Sequence, residues 1–142
     1  MTLSRLRAYN VIMGTFHLAQ GIVILALAND FTLPVTASFL SGPPGSSPND
    51  VKELFSIRIG WAISAFVLMS ASAHYIISAP GVFTWYRRNL LNSRNYARWF
   101  EYAVSSSLMM VLIAMLPGIT DIVALLGIFF VNSAMILFGL VM

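Results

Sequence analysis

The chain has few charged residues and no cysteine. Charged side chains make up only 9% of the 142 residues, whereas hydrophobic residues make up 58%. A soluble domain carries roughly 25% charged residues, because its surface must be hydrated. A chain so poor in charge cannot cover a water-facing surface, so a lipid bilayer is its natural solvent. Without cysteine, a disulfide scaffold, a thiol nucleophile and a cysteine metal site are all excluded.

Four long apolar runs account for most of the chain. Each is close to the ~20 residues that a helix needs to cross a ~30 Å hydrocarbon core. They predict an all-α integral membrane protein with four transmembrane helices in a single domain, residues 1–142. The predicted helices are residues 8–27, 57–79, 99–116 and 119–142. Because the last run reaches the C-terminus without a polar tail, we expect a truncated chain, with a short natural protein as the alternative.

The connections between these runs differ in character. The first, residues 29–55, contains the segment SGPPGSSPND, whose composition is typical of a loop. Before that segment, residues 31–40 alternate partly between apolar and polar side chains, which predicts a short strand or β-hairpin with Pro34 in an edge position. The second connection, residues 80–98, mixes aromatic and basic residues. The third is a tight turn, after which Asp121 can cap the last helix.

The placement of the charges predicts the orientation of the chain. The basic residues of the N-terminus and of the second connection are Arg5, Arg7, Arg87, Arg88, Arg94 and Arg98. Because Lys and Arg are retained on the cytoplasmic side, we expect the N-terminus and residues 80–98 in the cytoplasm and residues 29–55 outside, in a multi-pass protein of the cell membrane. A cleavable signal peptide is the rival interpretation of the N-terminus, but His17 and Gln20 within the first run disfavour it.

Three ionisable residues interrupt the apolar runs away from the predicted interfaces: His17, His74 and Glu101. Such residues are costly in lipid and usually face a cavity, a partner or a transport pathway. Glu101 could instead form an interfacial ion pair with Arg98, three residues earlier. Each histidine could be a neutral ring that is hydrogen-bonded between helices. A metal site is not indicated, because the three residues lie on three helices without local ligand spacing.

From Tyr96 onward the sequence carries a specific pattern. Arg-Trp-x-Glu-Tyr is followed by a serine run and then by GITDIVALLGIFFVNSAMILFGL. This pattern resembles the third and fourth helices of heliorhodopsins. Upstream, FHLAQ, LALANDFTLPVT, GPPG and AHYIIS are also similar to the family, so that the resemblance spans nearly the whole chain. It implies the first four helices of a seven-helix rhodopsin-like bundle, with the N-terminus in the cytoplasm, inverted relative to other microbial rhodopsins.

The resemblance also implies a cofactor and a function. Heliorhodopsins bind retinal as a protonated Schiff base on a lysine of the last helix, and act as light sensors rather than ion pumps. By this resemblance Glu101 is the expected Schiff-base counterion. The expected members of the cofactor pocket or polar network are His17, His74, Gln20, Ser105, Met109 and Asn132. We therefore expect a retinal-binding photoreceptor and no enzymatic activity.

The chain departs from the family in its lysines. Its one lysine, Lys52, lies in the first connection, so that no predicted helix can bind retinal covalently. The expected partners are the lipid bilayer and, for the full-length form, a second copy that is contacted through residues 31–50; nucleic acid is not expected. The alternative function belongs to a different class, an autonomous four-helix membrane protein that serves as an assembly module or a small transporter subunit.

Overall fold

Five helices and two strands follow one another in the part of the chain that the structure describes. The computed structural model describes residues 3–39, 42–43, 45 and 50–141. The elements are α1 (Leu3–Leu27), β1 (Thr32–Phe39), β2 (Asp50–Arg58), α2 (Ile59–Ser78), α3 (Val82–Leu91), α4 (Tyr96–Met115) and α5 (Ile122–Phe138). α1 packs along α2, α2 contacts α4, and α4 packs along α5. The four long helices therefore form one continuous series, in which each helix is packed against the next.

The helices differ from the predicted ones mainly at their ends. The predicted second helix includes residues 57–58, but these belong to β2, and α2 begins at Ile59. The predicted connection 80–98 contains α3 and the first residues of α4. α4 begins early because the side chain of Asn95 accepts a hydrogen bond from the backbone N–H of Arg98 at 3.2 Å and so caps the helix.

Two helices of the described chain are long and apolar enough to cross a membrane. They are α1, over Arg5–Leu27, and α2, over Ile59–Ser78. α5 is also apolar but shorter, with 17 residues. α4 has 20 residues, and its first half carries Arg98 and Glu101.

β1 and β2 pair as an antiparallel two-stranded sheet, with Thr32 opposite Arg58 and Phe39 opposite Asp50. β1 lies within residues 31–40, for which the sequence predicts a short strand or β-hairpin. β2 lies outside these residues, at positions that the sequence analysis assigned to a loop and to the start of a helix. Pro34 is tolerated in β1 because both strands of a two-stranded sheet are edge strands. Most of the SGPPGSSPND segment lies outside the described residues.

β1 is anchored to the turn between α4 and α5. The backbone N–H of Thr36 donates to the carbonyl oxygen of Thr120 at 2.8 Å, and the two threonine hydroxyls lie 3.1 Å apart. Beneath the strand, Val35, Met115 and Leu125 form a small buried cluster. The hairpin is therefore fixed to the helical bundle by both hydrogen bonds and apolar packing.

Asp121 joins the hairpin to the start of α5. One oxygen of its carboxylate accepts hydrogen bonds from the backbone N–H groups of Val123 at 2.9 Å and Ala124 at 3.1 Å, which caps the helix as predicted. The other oxygen accepts from the Ser38 hydroxyl of β1 at 3.3 Å. These bonds, first among them the one from Ala124, hold the pKa of the Asp121 carboxyl below its ordinary value, because they stabilise its charged form.

Small residues allow α1 and α2 to approach closely. A Cβ atom at Gly21 would lie 2.6 Å from Cδ2 of Leu68, and one at Gly60 would lie 2.7 Å from Cβ of Ala28. The Ser64 hydroxyl donates across the same contact to the carbonyl oxygen of Gly21 at 2.8 Å. A side chain at either position would therefore force a neighbouring residue to move, so that glycine suits this close approach.

Candidate functional site

A cavity of about 550 Å³ lies among α1, α2, α3 and α4. Five of the residues predicted from the sequence line it: His17, His74, Glu101, Ser105 and Met109. They come from three helices that are far apart in the chain. A volume between about 300 and 1,000 Å³ is typical of sites for small molecules and cofactors. The structure therefore brings most of the predicted site residues to one cavity of suitable size.

Glu101 lies on the cavity wall, half-buried in the first half of α4. Its Oε1 atom accepts a hydrogen bond from the Ser70 hydroxyl of α2 at 2.8 Å. The ion pair with Arg98 that the spacing allows is absent from the described part of the chain. The Arg98 guanidinium instead lies over the ring of Tyr102, with 5.0 Å between its Cζ atom and the ring centroid. The carboxylate therefore has a neutral donor and no cationic partner among the described residues.

The two histidines stack on each other across the contact between α1 and α2. The ring centroids of His17 and His74 are 5.7 Å apart, and the ring planes differ by 19°. Nδ1 of His17 lies 3.1 Å from Oε1 of Gln20, and Nδ1 of His74 lies 3.2 Å from Oδ1 of Asn10. Because an amide oxygen only accepts, each Nδ1 is assigned as the donor in its hydrogen bond.

Asn10 was not predicted as a site residue, although it lines the cavity and is only 5% exposed. Its Nδ2 atom is buried and has no hydrogen-bond partner among the residues that the structure describes. A buried donor without an acceptor is costly, and such groups often face a ligand or a water molecule. The sequence feature that could have identified Asn10 is its spacing from His17. It lies seven residues before His17 and therefore on the same face of α1.

Ser70 was also missed by the sequence reasoning. It lies one helical turn before His74 on α2, so that both side chains project toward the cavity. A serine in an apolar helix is most often a packing residue, and only the approach of α4 shows that its hydroxyl binds Glu101. The spacing of Ser70 from His74 therefore indicated that the two side chains share a face of α2, but it could not distinguish a site residue from a packing residue.

Gln20 and Asn132 lie outside the cavity lining. Gln20 contacts the site through His17, as described above. Nδ2 of Asn132 donates to the hydroxyls of Ser106 at 2.9 Å and Ser107 at 3.0 Å, and so joins α5 to α4. Of these partners, Ser106 lines the cavity. Asn132 therefore does not line the cavity itself, and its hydrogen bonds pack α5 against α4 next to it.

The donor set of the cavity has a definite chemical character. It presents one carboxylate, two imidazoles, and amide and hydroxyl groups, together with apolar side chains such as Phe66 and Ile77. Within residues 3–39, 42–43, 45 and 50–141, no group of three His, Cys, Asp or Glu side chains is placed to hold a metal ion. A carboxylate without a cationic partner favours a ligand that carries a positive charge.

The comparison with known proteins gives one family. The family model described as Heliorhodopsin matches residues 6–142. The match covers every helix and strand apart from the first residues of α1, and it includes all the cavity-lining residues named above. No curated protein matches the chain.

Proposed function

Because the chain belongs to the heliorhodopsin family, we propose that it forms the counterion side of a retinal-binding photoreceptor. In this proposal α1, α2, α4 and α5 all cross the membrane, as the first four helices of a seven-helix bundle, and the protein senses light rather than pumping ions or catalysing a reaction. The observation that carries the proposal is Glu101, a half-buried carboxylate on a cavity wall without a cationic partner among the described residues.

The residues of the cavity suit a long apolar cofactor with a cationic end. Apolar side chains of the lining, among them Phe66, Ile77 and Met109, suit a polyene, and Glu101 suits the positive charge. Retinal, once it is bound through a lysine, supplies a chromophore that absorbs visible light and a positive charge at its point of attachment. A nearby carboxylate stabilises such a buried cation.

The chain's own residues hold Glu101 in place. The hydrogen bond from Ser70 fixes one carboxylate oxygen, because a hydroxyl at 2.8 Å restricts the rotation of the side chain. Ser105 and Met109 follow Glu101 at intervals of four residues and therefore continue the same face of α4 along the cavity. The stacked pair of His17 and His74 adds hydrogen-bonding groups to the lining of the same cavity. We propose these residues as the polar network of the cofactor pocket.

Among the described residues, no lysine lines this pocket. Its one lysine, Lys52, is exposed in β2 and belongs to the hairpin rather than to the cavity lining. Covalent attachment of retinal needs a lysine amine in the pocket. We therefore propose that a lysine outside these 142 residues completes the pigment.

The proposal extends to orientation and assembly. The arginines at the start of α1 and around α3 support a cytoplasmic N-terminus.

The hairpin exposes apolar side chains that a second copy of the protein could cover, and we propose a homodimer through this surface. These side chains, with their exposed fractions, are Phe39 (59%), Val51 (68%), Leu54 (45%) and Phe55 (51%).

The test is to co-express the chain with a separate chain that carries the last three helices of a heliorhodopsin, including the lysine, and to add retinal. Helices that insert independently can associate afterwards, and co-purification shows whether the two chains do so. We expect a visible absorption band from the associated pair and none from this chain alone. An associated pair without a band favours a four-helix protein of another function, and a hydroxylamine-sensitive band from this chain alone contradicts the lysine argument.

Glu101→Gln in the associated pair tests the proposed counterion. It keeps the shape of the side chain but removes its charge, so that the band should move to longer wavelength, or to the near ultraviolet if the chromophore loses its proton. Glu53→Gln is the matched control, because Glu53 is an exposed carboxylate of β2, and its band should be unchanged. An unaltered band in Glu101→Gln would remove Glu101 from the cofactor site.

A further inference from the structure

Helix α3 has one face on the bundle and one face exposed. Its buried and half-buried residues are Val82, Phe83, Tyr86, Asn89 and Leu90. Its exposed residues, which we term the arginine face, are Thr84, Trp85, Arg87, Arg88 and Leu91. At 3.6 residues per turn the two sets occupy opposite halves of the helix. α3 is therefore an amphipathic helix whose outer face combines two arginines with apolar side chains.

The bundle fixes α3 in place at one end. The Arg7 guanidinium of α1 lies over the ring of Phe83, with 5.7 Å from its Cζ atom to the ring centroid. Its Nε atom also donates to the carbonyl oxygen of Ser78, at the end of α2, at 2.9 Å. On the inner face, Tyr86 is only 8% exposed. α3 is therefore held where α1 begins and α2 ends, which are the two helices suited to cross the membrane.

This end of the molecule is strongly basic. Its exposed arginines are Arg5, Arg7, Arg87, Arg88, Arg94 and Arg98. No acidic residue occurs in the sequence between residues 59 and 100, and the described residues form no ion pair at this end. The charges of the arginine face are therefore available to an anionic partner.

Apolar groups accompany the charges on the same face. Trp85 is 47% exposed and Leu91 is 69% exposed. Helices with arginine beside exposed Trp and Leu lie in the plane of the membrane interface, where the apolar side chains enter the acyl boundary and the basic ones reach the phosphates. A bilayer offers both kinds of contact at once, whereas an acidic soluble partner would match the arginines alone.

We propose that the arginine face of α3 binds the headgroups of anionic phospholipids and so seats this end of the protein in an anionic membrane leaflet. Arg87 and Arg88 donate hydrogen bonds to the phosphate groups, because a guanidinium presents several N–H donors that match phosphate geometry. Trp85 and Leu91 enter the boundary between headgroups and acyl chains. This assigns α3 a lipid ligand that is independent of the cavity and of any cofactor.

The test measures lipid selectivity of the whole chain in phosphatidylcholine vesicles that contain spin-labelled phosphatidylglycerol or spin-labelled phosphatidylcholine. Electron paramagnetic resonance gives the fraction of each label that the protein immobilises. A basic residue near an anionic surface contributes about 1 kcal/mol, which corresponds to a preference of about fivefold. We therefore expect a clear preference for phosphatidylglycerol, which 1 M NaCl abolishes because it screens exposed charges.

Variants locate the preference on the molecule. Arg87→Gln combined with Arg88→Gln should lower the preference for phosphatidylglycerol by at least about fivefold. Arg87→Lys combined with Arg88→Lys should retain most of this preference, because the charges are kept. The matched control, Lys52→Gln combined with Arg58→Gln, removes two charges at the hairpin end and should leave the preference unchanged. Circular dichroism checks that all variants keep their helices. An equal fall in the control, or no preference in the unaltered chain, overturns the proposal, and the second outcome would favour an acidic protein partner.

Discussion

The hydrogen bonds of Asn132 should contribute measurably to the stability of the bundle. Asn132→Leu keeps the branched shape of the side chain but removes both hydrogen bonds to Ser106 and Ser107. Hydrogen bonds between membrane helices contribute about 0.6 kcal/mol each on average. Ser107 is fully buried, yet its hydroxyl still donates to the carbonyl oxygen of Ala103 at 2.7 Å, so that it is not left without a partner. We therefore expect the free energy of unfolding to fall by about 1 kcal/mol.

Reversible unfolding in mixed micelles, by addition of sodium dodecyl sulfate, measures this loss through the far-ultraviolet circular dichroism. Val131→Leu is the matched control, because Val131 is the preceding residue of α5 and is 71% exposed; its effect should stay within about 0.5 kcal/mol. A loss in Asn132→Leu no larger than that of the control would refute the reasoning. In the assembled pigment, a band shift as large as that of Glu101→Gln would instead place Asn132 in the cofactor pocket.

Two further predictions concern helix packing and orientation. Gly60→Ala should lower the free energy of unfolding by about 1–3 kcal/mol, because the added Cβ would lie 2.7 Å from Cβ of Ala28, a side chain too short to move aside. Gly127→Ala, where a Cβ meets nothing within 4 Å, should be neutral or slightly stabilising, and equal losses in both variants would contradict this. Since the chain has no cysteine, single variants Lys52→Cys and Asn92→Cys can be labelled with impermeant reagents. Lys52→Cys should react only from outside the cell and Asn92→Cys only from inside, and labelling of Asn92→Cys in intact cells would reverse the proposed orientation.

The candidate site was largely accessible from the sequence because ionisable groups are rare in apolar helices. His17, His74 and Glu101 stood out because each interrupts a run of residues suited to lipid. The cavity then brought them together with Ser105 and Met109. Asn10 and Ser70 were not singled out, since a polar residue of small size in a membrane helix is usually explained by packing. Only the neighbouring helices decide which of these residues face the cavity.

The sequence by itself determined the membrane class of the protein, its family and the approximate positions of its long helices. These features follow from local composition and from the order of consecutive residues. They can therefore be predicted without knowledge of any tertiary contact. The cap at Asp121 was equally local, because a short carboxylate side chain reaches N–H groups two and three residues later.

The tertiary structure decided the remaining features. β2 is a strand because it pairs with β1 and the hairpin is anchored to Thr120 and Asp121, contacts between residues that are far apart in the chain. α3 is a separate helix because its Phe83 and Tyr86 face the bundle, although the sequence predicted only a connection of mixed aromatic and basic residues there. Glu101 could have paired with Arg98 by spacing, yet it accepts from Ser70, since the approach of α2 offers that hydroxyl while Arg98 lies over Tyr102. Spacing along one helix specifies which partners a side chain can reach, and the packing of helices decides which of them it binds.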